Sequence, residues 1–288
     1  MCADAGWSRR ELLTAAAAAA AGYTLAAGPV RAAAIRTDDA GLLVGPVEIA
    51  VADAPMPAYR ARPEGRGPFP ICLVVHEIFG VHEYVRDVCR RLARAGYLAV
   101  APDLYRRVGD VTGMTDFRRI LDEVVPKVPD ATVLSDLDAA RDWAARERGD
   151  PARTFVTGFC WGGRIVWLYA AHQPGLSAGV AWYGRLAGRS RSEAPNHPLG
   201  LATELKAPVL GLYGGRDGGI PLESVEAMRQ RLAAGGGKSQ IRVFPEAPHG
   251  FHADYRASYR EADATEGWRL LLAWFRDPGG FEAAATAR

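Results

Sequence analysis

Short apolar runs alternate with stretches of helical periodicity along most of this 288-residue chain, and that alternation constrains its fold more than any other feature. Ile71 to Val75 is continuously apolar, as a strand covered on both faces would be. Val85, Val88, Cys89 and Leu92 then recur at helical spacing, and Gly96 offers a helix end. Tyr97 to Ala101 reads as the next strand, stopped by Pro102-Asp103. Val133, Leu137, Ala140 and Ala144 mark a second helix, Thr154 to Thr157 a strand, and Ile165 to Ala171 part of a third helix. Further strands are predicted at Ala178 to Trp182, Pro208 to Tyr213 and Ile241 to Phe244, with helices near 222–233 and 258–275. Val47 to Val51 alternates like a short first strand, whereas Pro55 to Pro70 reads as a connection and 106–131 as an irregular cover. Strands alternating with helices predict an α/β protein with a mostly parallel central sheet and helices on both faces. In such a sheet, reactive side chains sit in loops beyond the carboxyl ends of the strands. No internal repeat or long linker interrupts the pattern, so residues 35–288 are expected to form a single domain.

The first 34 residues read differently. Arg9-Arg10 precedes an alanine-rich, weakly apolar stretch reaching Val30, and Ala32-Ala33-Ala34 supplies small residues. Charge, apolar run and small-residue end, in that order, resemble a twin-arginine export signal ending near Ala34. The expectation is a protein handed to export machinery and delivered to the periplasm or beyond. Cys2 lies before the apolar run, so processing would leave Cys72, Cys89 and Cys160, an odd number of thiols.

Composition removes several classes. Thirty-five basic residues against 33 acidic leave a net charge of +2, without the basic excess of a dedicated nucleic-acid binder. Six histidines and four cysteines form neither HExxH nor CxxC, so no metal site is expected.

The chemistry concentrates in one pattern. Gly158-Phe159-Cys160-Trp161-Gly162-Gly163 follows a strand and opens a helix, the nucleophile-elbow arrangement with cysteine in place of serine. The turn must be sharp, so small residues flank the nucleophile on both sides. The helix N-terminus directs its dipole at the thiol and favours the anion. Asp217 follows the strand at Pro208 to Tyr213, and His249 follows the strand at Ile241 to Phe244. Alone, Asp217 would read as a turn residue and His249 as a loop residue. Together they give the order nucleophile, acid, histidine, each after a successive strand, as in α/β-hydrolases. His252 is the competing histidine. In this fold the loop after the first long strand, His76-Glu77-Ile78-Phe79-Gly80, supplies one oxyanion N–H, from Ile78, and the residue after the nucleophile, Trp161, supplies the other.

His76-Glu77-Ile78-Phe79-Gly80, Ala101-Pro102-Asp103-Leu104-Tyr105, the Cys160 hexapeptide, Gly214-Gly215-Arg216-Asp217 and His249-Gly250-Phe251 together resemble the dienelactone hydrolase (carboxymethylenebutenolidase) family over about residues 45–276. The resemblance implies a monomeric α/β-hydrolase that opens lactones or esters without metal or organic cofactor. It implies Cys160 as nucleophile, His249 as base, Asp217 as its orienter, and Glu77 as the carboxylate that contacts the cysteine and takes its proton. Family members that act on dienelactone hold the substrate carboxylate with an arginine four residues after the histidine. Here that position is Ala253, so a preference away from carboxylate substrates is expected. Arg106, Arg107, Arg118 and Arg119 are other cations in the expected loop, and Arg118, Arg119 and His252 are the candidates for substrate binding. The alternatives are a broad exported carboxylesterase, an inactive hydrolase fold that binds a ligand, and a redox thiol sensor, for which no resolving cysteine is evident.

Overall fold

The computed structural model describes residues 35–114, 116–188 and 197–280; the predicted export signal lies outside these residues. Eight strands form one sheet in the order β1-β2-β4-β3-β5-β6-β7-β8. They are β1 (Leu42–Ile49), β2 (Met56–Pro63), β3 (Phe69–Val75), β4 (Leu98–Pro102), β5 (Gly149–Phe159), β6 (Ala178–Trp182), β7 (Val209–Gly214) and β8 (Gln240–Phe244). From β4 to β8 every neighbouring pair is parallel. β1 and β2 join that block as an antiparallel pair, with Leu42 opposite Pro63 and Ile49 opposite Met56. Among the described residues, four longer helices connect strands, α1 (Glu83–Arg94), α2 (Asp130–Arg146), α3 (Trp161–His172) and α4 (Leu222–Ala234), and a fifth, α5 (Glu261–Arg276), follows β8. This is the α/β-hydrolase fold, a mostly parallel sheet with helices on both faces.

Every residue of β4, β6 and β7 is buried. Strands covered on both faces carry continuous apolar runs, and for that reason the sequence located them closely. The segment Pro55 to Pro70 is the exception. It contains β2, not only a connection, and β2 pairs on both sides. Its prolines suggested a break, but Pro57 and Pro63 fall at the strand ends, where a missing N–H is tolerated. Met56 and Ala58 are buried on one of its faces and Ala61 on the other. The segment 106–131 is likewise less irregular than expected. It contains a helical turn at Phe117–Arg119, a π-type turn at Ile120–Val124 and a 3-10 turn at Val125–Lys127, before α2 begins.

Candidate active site

Cys160 sits where β5 ends and α3 begins, with φ +55° and ψ −112°. Non-glycine residues at positive φ are uncommon, and this conformation is held from both sides. The Cys160 N–H donates to the Trp182 carbonyl on β6 at 3.0 Å, and its carbonyl accepts from the Arg164 N–H at 3.2 Å. The flanking glycines make the turn possible: a Cβ on Gly162 would lie 2.6 Å from the His76 carbonyl oxygen. The first N–H groups of a helix have no partner within it, so the N-terminus of α3 presents its donors beside the thiol.

The loop after β7 delivers Asp217 and the loop after β8 delivers His249. His249 Nδ1 donates to Asp217 Oδ2 at 2.7 Å, and both side chains are almost fully buried. Asp217 Oδ1 accepts from the Gly219 N–H at 2.8 Å, which fixes the carboxylate. Burial pulls the His249 pKa down, but the Asp217 charge, the Cys160 sulfur and hydrogen bonds to both outweigh it, raising the value to about 10. Imidazole, carboxylate and thiol are therefore one interacting group, drawn from the ends of three different strands. Tyr183, after β6, packs its ring 5.1 Å from that of His249.

Glu77 is fully buried in the loop after β3. Its Oε2 accepts from Arg256 Nη2 at 3.0 Å and from the Tyr255 hydroxyl. Burial would raise the carboxyl pKa, yet Arg256 and the Tyr255 hydrogen bond hold it below the usual range. Arg256 also donates from Nε to the Tyr255 hydroxyl at 3.1 Å and lies over the Phe79 ring, 5.1 Å from its centroid. The guanidinium is near enough to the Cys160 sulfur to interact with it. The Glu77 carboxylate is thus engaged by an arginine and a tyrosine.

The other candidates lie elsewhere. Arg118 and Arg119 are exposed on the turn after Asp116, with Arg119 paired to Glu123 at 3.0 Å. Arg106 and Arg107 are occupied by Asp53, and Arg107 also by Asp136. His252 is a core residue: its Nδ1 bonds the Tyr84 hydroxyl at 2.6 Å, and its ring packs against Trp182 and Phe159. Burial holds it neutral, its pKa well below the ordinary value. Ala253 is buried, and the cation of the site comes instead from Arg256, three residues further on. Sequence spacing missed Arg256 and Tyr255; the one available signal was an adjacent Tyr-Arg pair in the loop that follows His249. Cys72 and Cys89 are free and wholly buried, and burial raises the pKa of both thiols.

Comparison with known proteins bears on the family and the fold. The family model described as "Dienelactone hydrolase family" matches residues 56–278. A protein of Methylorubrum extorquens named "Putative carboxymethylenebutenolidase" is 53% identical over 281 residues, covering 97% of this chain and 96% of that one. One of the same name from Escherichia coli K12 is 52% identical over 260 residues, covering 90% of this chain and 96% of its own. A crystal structure titled as a "Putative Dienelactone Hydrolase" from Klebsiella pneumoniae superposes with a TM-score of 0.80 at 55% identity, covering 82% of this chain and 99% of that one.

Proposed function

The chain belongs to the dienelactone hydrolase family, and from that premise we propose that it opens lactone or activated ester bonds through a thioester intermediate on Cys160. The observation that carries this reading is the 2.7 Å bond between His249 and Asp217 beside a cysteine held at positive φ on a helix N-terminus. A dead fold has no need to hold a buried imidazole, a carboxylate and a strained cysteine in one group.

The chemistry follows from the charges. With its pKa near 10, His249 carries a proton at neutral pH, so it pairs as imidazolium with the thiolate left when Glu77 takes the thiol proton. The sulfur adds to the substrate carbonyl, and the oxyanion is received by the Ile78 and Trp161 N–H groups, an arrangement worth several kcal/mol. As the C–O bond breaks, His249 gives its proton to the departing oxygen. In a lactone that oxygen stays attached as the far end of the acyl chain. Water then attacks the thioester while neutral His249 takes its proton, releasing the acid and restoring the imidazolium and a thiolate that takes its proton back from Glu77. A thiolate is also a good leaving group, so enol lactones and aryl esters, whose own oxygens leave readily, suit it better than amides.

Glu77 has two proposed parts. It is the counter-ion of buried Arg256, and it is a proton acceptor for the thiol when substrate displaces it. With Glu77 in place, Arg256 presents no free charge to a substrate. A carboxylate must compete with a buried ion pair, so neutral lactones are expected to react at least as well as acids. The Arg9-Arg10 segment supports export of the protein; retention in the cytoplasm of a precursor carrying Arg9→Lys and Arg10→Lys is the expected result.

The test is a panel of lactones and aryl esters, each as free acid and methyl ester, with mass spectrometry of the trapped enzyme. An acyl adduct on Cys160 is expected. Turnover of the panel with no adduct on Cys160 would overturn the thioester route. A strong preference for the acids would show that Arg256 exchanges Glu77 for substrate.

A further inference from the structure

His76 is wholly buried at the end of β3, and both of its ring nitrogens are used. Nδ1 lies 2.6 Å from the Glu77 carbonyl oxygen, and Nε2 lies 3.2 Å from the Leu104 backbone nitrogen. The Leu104 N–H can only donate, so Nε2 is the bare nitrogen and the proton sits on Nδ1. Nδ1–H therefore donates to the Glu77 carbonyl. Burial pushes the His76 pKa down against the Glu77 hydrogen bond and the Asp103 charge, which keeps the neutral ring that these contacts require.

The Glu77 carbonyl and the Ile78 N–H are two ends of one peptide unit. That unit is planar, and in its trans form the C=O and N–H point in opposite directions. Fixing the oxygen therefore fixes the aim of the N–H. A hydrogen bond at the oxygen also polarises the unit and strengthens its donor. The same ring stacks on Trp161, centroids 5.3 Å apart and planes 21° apart, and Tyr105 packs against both, edge-on to His76 at 4.8 Å and 4.9 Å from Trp161. Trp161 carries the second proposed donor.

From these contacts we propose that His76 is a positioning residue that aims both N–H donors of the oxyanion hole, through the Glu77–Ile78 peptide and through the Trp161 ring. The inference rests on the acyl-transfer reading above. It makes His76 necessary for stabilising an oxyanion and unnecessary for the nucleophilicity of the thiol.

Two reactions of the same sulfur separate these roles. Ester hydrolysis passes through an oxyanion. Alkylation by iodoacetamide forms a C–S bond and expels iodide with no oxyanion. His76→Phe keeps a flat ring against Trp161 but removes both hydrogen bonds. It is expected to lower kcat for an aryl ester about 100-fold, with KM changed less than about threefold. The rate of Cys160 alkylation is expected to stay within about twofold, because no donor is needed. His76→Asn, whose amide N–H can replace Nδ1–H, is expected to recover at least about tenfold of the lost kcat. Wild-type kcat in His76→Phe, an equal loss of alkylation and turnover, or no recovery in His76→Asn would each overturn the proposal. If the Phe variant does not fold, His76→Asn against His76→Ser gives the same reading. Turnover surviving in Cys160→Ala would overturn the acyl-transfer reading and this proposal with it, whereas the His76 outcomes overturn the proposal alone.

Discussion

Gly158 and Gly162 face each other across the turn that carries Cys160, so closely that a Cβ on Gly158 would lie 2.6 Å from the Gly162 carbonyl carbon. The same Cβ would lie 3.0 Å from the Val75 Cβ on the neighbouring strand. The strained backbone at Cys160 is thus held by contacts that leave no room for a methyl group. Gly158→Ala and Gly162→Ala are each expected to destabilise the protein by about 1–3 kcal/mol. Both should reduce turnover, because the sulfur moves with the turn. Gly200→Ala, where a Cβ meets nothing within 4 Å, is the control and should leave the unfolding midpoint near wild type. Equal midpoints for all three variants would show that the turn tolerates a side chain.

Cys160→Ala is expected to keep the fold and lower hydrolysis by about 10⁴-fold or more, the scale seen when a covalent nucleophile is removed. Burial raises the pKa of Cys72 and Cys89 and keeps them as thiols. Iodoacetamide should therefore modify Cys160 in the folded protein and leave the other two until denaturant is added. Labelling of all three at similar rates would contradict the site described here.

The His249 proton links activity to stability. In the folded protein its pKa is about 10, while in an unfolded chain a histidine titrates near about 6.5. The folded state binds the proton more tightly, so this contribution is fully present below about pH 6.5 and is lost as pH rises through about 10. Thermal unfolding of wild type should weaken across that window relative to His249→Gln, which lacks the titrating group. Parallel curves for the two proteins from pH 6 to 10 would show that the imidazolium is not held.

Glu77→Gln leaves Arg256 buried without its counter-charge. A loss of about 3–5 kcal/mol is expected, the usual result of breaking a buried pair from one side. Glu77→Gln combined with Arg256→Met removes both charges and should recover most of that stability. Because Glu77 is also proposed to accept the thiol proton, kcat of the double variant should remain low. Recovery of kcat together with stability would reduce Glu77 to the counter-ion of Arg256.

The sequence by itself determined the layering, the central strands and the order of the chemical groups. β6 was located to the residue because a strand covered on both faces is apolar throughout, a property written in consecutive residues. Cys160 was legible for a similar reason: the glycines its turn needs are two residues away on either side. Asp217 and His249 were legible as residues following strands. β2 was not, because proline was read as a break where it marks the strand ends. Only the tertiary structure decided which histidine meets Asp217, since His249 and His252 lie in the same loop and differ in the side of the chain they face. It also decided that the cation of the site is Arg256, which meets Glu77 across 179 residues of sequence. Such a pairing depends on the register of distant strands and the path of two loops, and neither leaves a local pattern. His76 shows the same division: its place before Glu77 is plain in the sequence, while its hold on Leu104, the Ile78 peptide and Trp161 exists only once β3, β4 and α3 are packed together.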